Sequence, residues 1–312
     1  MDALTVTIDG GGGAVRLGPP GGAPGLHASG LAGWYGTPDG KWDLTERQRG
    51  DGAFAIEPSQ VAYSSRTVTV DGYALGRTRA EALSSLAPLG AMAHRLVSIA
   101  VDDGVAETYA TGALTAEVGK GVRGGAVTFT LTIVCPDPRR YGTTPRRAYL
   151  SPGASAGALA WHADAPHGLP WPLSYGGGGA GANVATLRNN GTSTAYPTIT
   201  ASGDMDGLVI TDTATGAQLA WDGHVGAQPV TLDCLSRTAS VAGVDASRLL
   251  SARGFPSVPP GGEVTLALSA TGSGTVEVEW RDTYIFGVDE SWTITALPTD
   301  ADGPTDADGV SY

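Results

Sequence analysis

The stretch Val127-Thr128-Phe129-Thr130-Leu131-Thr132-Ile133 alternates apolar and hydroxyl residues without a break. A period of two puts Val127, Phe129, Leu131 and Ile133 on one face and three threonines on the other. That is the pattern of a half-buried antiparallel strand with one face on a core. The alternation recurs in Leu4-Thr5-Val6-Thr7-Ile8, in Arg66-Thr67-Val68-Thr69-Val70 and from Val97 to Val101. Asp39-Gly40, Asp51-Gly52, Asp71-Gly72 and Asp103-Gly104 supply turn chemistry between the strands. One segment departs from the period. Thr78-Arg79-Ala80-Glu81 is a capping box, Ala82, Leu83 and Leu86 follow on one face, and Pro88 and Gly90 close the segment. The spacing predicts a single helix over 78–88, lying against a sheet.

Regularity stops at Cys135-Pro136-Asp137-Pro138-Arg139-Arg140-Tyr141-Gly142, where two prolines force extended backbone. From there to about Gly181 the chain is rich in glycine, alanine, proline and serine, which reads as a linker or as a loop over the face of a second domain. Asn189-Asn190-Gly191 signals a hairpin turn before a strand from Tyr196 to Ala201. Strand-like runs follow at Leu208–Ile210, Gln218–Trp221, Val230–Cys234, Val264–Leu268 and Thr275–Trp280, a spacing that suits a sandwich of jelly-roll type. The expected organisation is an N-terminal β-sandwich with one short helix over 1–142, a linker over 143–182, a second β-sandwich over 183–296 and an acidic tail over 297–312. The tail contains the direct repeat Pro298–Gly303 and Pro304–Gly309.

The chain has 312 residues, enough for two domains, and its formal net charge is −12. An acidic protein repels phosphate, which argues against a main role on nucleic acid or on anionic membranes. The start lacks a basic and apolar leader, and no run approaches the roughly 20 apolar residues of a membrane span. Two cysteines, Cys135 and Cys234, make no disulfide framework and are expected as buried thiols.

Candidate chemistry is sparse. Gly153-Ala154-Ser155-Ala156-Gly157 matches a nucleophile elbow without the strand-to-helix context it needs. Gly176, Gly178 and Gly181 fit a dinucleotide fingerprint only because the tract is almost all glycine. His162, Asp164 and His167 are better read as loop residues than as metal ligands. Asp300-Ala301-Asp302-Gly303 lacks the terminal glutamate of a calcium loop, and Asn190-Gly191-Thr192 reads as a turn. Trp221 and Trp280 end strands and read as core plugs, whereas Trp161 and Trp171 are candidates for stacking on a glycan, with core or domain-interface packing as the other reading. No catalytic residue, cofactor or metal is expected, and a glycoside hydrolase would need a carboxylate pair to which no segment points.

The order of these segments resembles the distal tail proteins of long-tailed bacteriophages. The resemblance runs through Gly33-Trp34-Tyr35-Gly36-Thr37-Pro38, the Arg47-Gln48-Arg49-Gly50-Asp51-Gly52 turn, the short helix and the Asp137-Pro138-Arg139-Arg140-Tyr141-Gly142 exit. It continues through Asn189–Thr192 with Tyr196-Pro197-Thr198-Ile199, and through Phe255–Val264. It covers about residues 1–290. It implies a structural virion protein whose first domain builds a homo-hexameric ring and whose second, galectin-like domain projects outward. The implied partners are the tail tube protein and the tail-tip hub, with host cell-wall glycan as a further partner if the chain acts as an adhesin. Genomic DNA would cross the ring without sequence-specific contact, so an acidic or neutral channel wall is expected. A channel lined by Arg47, Arg49, Arg139 and Arg140 would contradict it. Arg47, Arg49 and Asp51 are the expected ring-interface residues, because arginine's planar fork suits carboxylate partners in a partly desolvated contact.

Overall fold

The computed structural model describes residues 4–57, 61–92, 94–119, 125–152 and 183–287. They form two antiparallel β lobes, with a single α-helix among the described residues. The first lobe contains β1 (Thr5–Asp9), β2 (Ala14–Leu17), β3 (Gly25–Ala32), β4 (Arg66–Leu75), α1 (Arg79–Ala91), β5 (Leu96–Asp102), β6 (Glu107–Val118), β7 (Ala126–Cys135) and β8 (Arg140–Gly142). Its strands run in the order β2-β1-β5-β6-β7-β4-β3. β6 belongs to both layers: its first half pairs with β5 and its last residues, from Ala113, pair with β7. The core between the layers takes Val6, Ile8, Val97, Ile99 and Val101 from one side and Val68, Val70, Phe129, Leu131 and Ile133 from the other.

Alternation places these side chains as expected, and four local expectations are corrected. The helix runs to Ala91 with Pro88 inside it. Proline costs little there, because it lies in the last turn and removes one intrahelical bond just before the end. The buried face is Ala82, Leu86 and Leu89, while Leu83 is exposed. Asp71-Gly72 is no turn but lies inside β4, opposite a bulge in β3. Gly72 is required there by close approach, since a Cβ would stand 2.5 Å from the His27 carbonyl oxygen and from the Phe129 ring. The capping box forms with a shift. Thr78 Oγ1 accepts from Glu81 N at 3.2 Å, and the Glu81 carboxylate accepts from Arg77 N at 2.8 Å.

The second lobe contains β9 (Arg146–Leu150), β10 (Val184–Arg188), β11 (Thr198–Asp212), β12 (Gln218–Trp221), β13 (Val230–Asp233), β14 (Thr238–Val241), β15 (Val244–Asp245), β16 (Leu250–Arg253) and β17 (Glu263–Trp280). The runs at 196–201 and 208–210 join into the one strand β11, and those at 264–268 and 275–280 into β17. These two pair along almost their whole length, with one bulge between Asp206 and Val209. Small residues bend the ribbon without breaking its ladder. Gly203 sits at φ +127, and a Cβ there would lie 2.5 Å from Gly274 Cα. On one side of the corner the ribbon pairs with β9 and β13, and on the other with β10, β12 and, beyond β12, β16. Such a corner lets two strands serve both layers of a sandwich. Leu150, Ile199, Leu232, Leu266, Val276 and Trp221 fill the core between them. β9 falls within the stretch read as linker. Asn189-Asn190-Gly191 does not close a hairpin, because β10 pairs with β17 and not with β11.

After β17 the chain returns to the first lobe, where β18 (Thr283–Tyr284) pairs with β8. The second lobe is therefore inserted between two neighbouring strands of the first.

Candidate functional site

Three features outside the cores are candidates for function: a junction between the lobes, an extended arm and a hydroxyl-rich sheet face.

The junction is built around Arg66, the first residue of β4 and only 1% exposed. Alternation carries it inward with Val68 and Val70. Its Nε donates to Pro138 O at 2.8 Å, its Nη1 to the carbonyls of Gly33, Trp34 and Gly36 at 2.7, 2.8 and 2.9 Å, and its Nη2 to Ile285 O at 2.8 Å. One guanidinium thus gathers the base of the arm, the peptide leading to the second lobe and the returning strap of residues 281–287. Burial lowers its pKa, yet arginine keeps its charge at neutral pH. The strap is held at other points too. Gly142 N donates to Asp282 O at 2.9 Å and Gly287 N to Tyr35 O at 3.1 Å. Arg281 Nη1 reaches Gly142 O at 3.0 Å, and the guanidinium lies 5.4 Å from the Tyr109 ring centre.

On the second-lobe side the strap meets Asn189, which is fully buried. Its Nδ2 donates to Ser193 O at 2.7 Å and to Pro259 O at 3.2 Å, and its Oδ1 accepts from Gly191 N at 2.9 Å and Thr283 N at 3.2 Å. Asp282 accepts from Asn190 N at 2.9 Å and from Arg146 Nη2 at 2.7 Å. The Asp137-Pro138-Arg139-Arg140-Tyr141-Gly142 motif lies in the same junction. Asp137 accepts from Arg139 Nε at 2.8 Å and from the Tyr141 hydroxyl, and Arg139 stacks over Tyr196 of the second lobe at 5.0 Å. Burial, aided by the bond to Asp137, pushes the Tyr141 hydroxyl up. Cys135, beside Arg66, is a buried thiol pushed up to about 11 by burial, and the buried Cys234 thiol is raised for the same reason.

The arm takes in residues 37–57 and 61–64. Two legs run antiparallel, through Ser64 N to Asp39 O at 2.8 Å, Lys41 N to Ala62 O at 2.7 Å and Phe54 N to Thr45 O at 3.0 Å. Arg47 N to Gly52 O at 3.0 Å closes the tip. All ten residues from Lys41 to Gly50 are exposed. Trp42, Leu44 and Phe54 are 41%, 56% and 61% exposed, so the arm presents apolar surface that the described residues do not cover. Arg47, Arg49 and Asp51 stand at this tip, with the Arg47 guanidinium 6.0 Å from the Phe54 ring centre and no ion pair from any of the three among the described residues. Trp161 and Trp171 lie outside the described residues, as do the 153–157 elbow match, the 176–181 glycines, His162, Asp164 and His167, and the acidic tail.

The third feature is the outward face of β4, β7 and the end of β6. Register lines up Thr69, Thr132 and Thr115 in one row and Asp71, Thr130 and Glu117 in the next. Thr67, Val134 and Ala113 form a third row, and Thr130 Oγ1 donates to Asp71 Oδ1 at 2.7 Å. The face is small, hydroxylated or acidic, and none of its three rows carries a basic residue.

No protein family model matches the chain, and no curated protein does either. Solved structures match its fold over nearly its whole length. One is the crystal structure of the SPP1 Dit protein, described as a paradigm of the hub adsorption apparatus in phages infecting Gram-positive bacteria. The chain aligns to it with a TM-score of 0.58 and 15% identity over 90% of this chain and 98% of that one. The chain has the Dit fold. A chain of the phage P2 baseplate, in its activated conformation with calcium, matches with a TM-score of 0.51 and 10% identity over 92% of this chain and 100% of that one.

Proposed function

We propose that the chain is a structural protein of a phage tail tip. Six copies close into a ring that joins the tail tube to the hub, the first lobe forming the ring and the second projecting from it. The single observation that carries this reading is the Dit fold across both lobes, with 98% of the SPP1 Dit chain covered. Two further features support it. The arm bears exposed aromatic and apolar side chains with Arg47, Arg49 and Asp51 at its tip, a composition suited to packing on the next copy. A contact between unlike surfaces generates a ring when its rotation closes after a whole number of copies. The threonine face suits a channel wall, because it offers hydration and negative charge but no cation to hold a phosphate backbone. Arg139 and Arg140 are turned into the junction and do not line such a wall.

Mass photometry of the purified chain, with negative-stain imaging, tests the ring. A sixfold mass and a ring with a central hole are expected. Replacing 43–55 by a short Gly-Ser turn is expected to leave a folded monomer. A wild-type chain that stays monomeric alone and is also missing from the tail tip of imaged particles would refute the proposal.

A further inference from the structure

Arg140 is fully buried and, unlike Arg66, is short of acceptors. Its Nη2 donates to Gly287 O, while Nε and Nη1 have no hydrogen-bond partner among the described residues. Its charged plane faces the rings of Trp34 and Tyr35, with centres 5.3 and 5.8 Å away. Two more buried groups nearby are unpaired, Trp34 Nε1 and Thr108 Oγ1. β6 and β8 pair with Thr108 opposite Gly142, so Thr108 and Arg140 share one face of the ladder. All of the unpaired atoms can donate, and three of the four can only donate.

Charge points the same way. Burial, reinforced by the neighbouring Arg66, lowers the Arg140 pKa to about 10, which leaves it cationic at neutral pH. Among the described carboxylates, Asp103 is one whose charge reaches Arg140, and its oxygens are shared with other donors. Cys135 is held neutral by burial and Tyr35, pushed up to about 12, is neutral as well. Asp103 accepts from the Tyr35 hydroxyl at 3.0 Å and from Val105 N and Ala106 N at 3.0 Å. Asp137 is taken by Arg139 and Tyr141.

We propose that this group of donors binds a small monatomic anion of the halide class, held by Arg140 Nε and Nη1 with Trp34 Nε1 and Thr108 Oγ1 near it. A water would need acceptors for its own protons, which the unpaired groups other than Thr108 do not provide. The anion would sit where the strap docks, so its occupancy would tighten the Gly287 contact and through it the fixed angle between the lobes.

The test uses the full-length chain and bromide as the probe. Exchanging gluconate for bromide at constant ionic strength is expected to raise the Tm by about 3 °C at saturation. Crystals grown in bromide are expected to show an anomalous peak within hydrogen-bonding range of Arg140 Nε or Nη1. Arg140→Met is expected to abolish the halide-dependent shift. A Tm that does not distinguish bromide from gluconate, or a water without anomalous signal at that place, overturns the proposal. So does an Arg140→Met chain that keeps the full halide response. If that variant does not fold, the two wild-type measurements decide.

Discussion

The junction and the arm use the same kinds of residue to opposite ends. In the junction, Arg66 and Asn189 are buried and bonded and Asp282 is half-buried and bonded, and Arg66 alone spans three segments of the chain. In the arm, Arg47, Arg49 and Asp51 stand in solvent beside exposed Trp42, Leu44 and Phe54. A buried polar group left without its partner forfeits its full desolvation cost, whereas an exposed one loses little. The junction is therefore where substitution should destabilise the folded chain, and the arm is where substitution should spare the fold and change what the chain assembles into.

Arg66→Met is the largest test of that contrast. It leaves five carbonyls short of a donor and a cavity at a buried charge, and is expected to cost about 4 kcal/mol, read as a fall in urea midpoint at unchanged slope. Raised hydrogen exchange is expected at 33–36 and 283–287 together, because one side chain holds both. Asn189→Ala should cost less, about 2 kcal/mol, since it removes one amide and strands the Gly191 and Thr283 amides. Arg49→Ala with Asp51→Ala is expected to change chain stability by less than about 0.5 kcal/mol and yet to reduce the hexamer fraction in mass photometry. Equal destabilisation by the arm and junction variants would erase the distinction.

The corner of the second lobe belongs to neither region and gives the smallest effect. His224 there faces Asp206 at 2.9 Å and Asp204 at 3.6 Å, and the bond and charge of Asp206 hold its pKa above the ordinary value. A histidine whose pKa rises on folding contributes stability below its unfolded value, and that contribution disappears as pH rises through the folded value. Wild type is therefore expected to lose a little stability relative to His224→Asn between about pH 6 and pH 8, measured as the difference in Tm across that window.

Much of the fold could be read in advance because alternation is a local property. Val127 to Ile133 places its own side chains, and the Thr78–Glu81 box marks where the helix starts. The same rule held a clue about Arg66, which shares a parity with Val68 and Val70 and so had to point inward, although a charged residue at the start of a strand invites an exposed reading. Partners were harder. Nothing in Thr283-Tyr284 says that it will cross back to β8, because pairing over such a separation is settled by the lobes and not by the segment. The bent ribbon misled for a related reason. Glycines at 203, 207, 272 and 274 look like ends of strands, yet in β11 and β17 they bend a ladder that continues. The arm was legible as a turn at Asp51-Gly52, but its length and its uncovered apolar side chains were not.

The outward and return crossings between the lobes have a mechanical consequence. A body slung from one thread spins freely; slung from two, it resists torsion. The second lobe leaves beside Gly142 and comes home beside Asp282, and those two residues are bonded to each other. Pull or twist applied to its far end would be shared by parallel covalent lines at a single anchorage, which suits a part that must pass strain onward without swivelling.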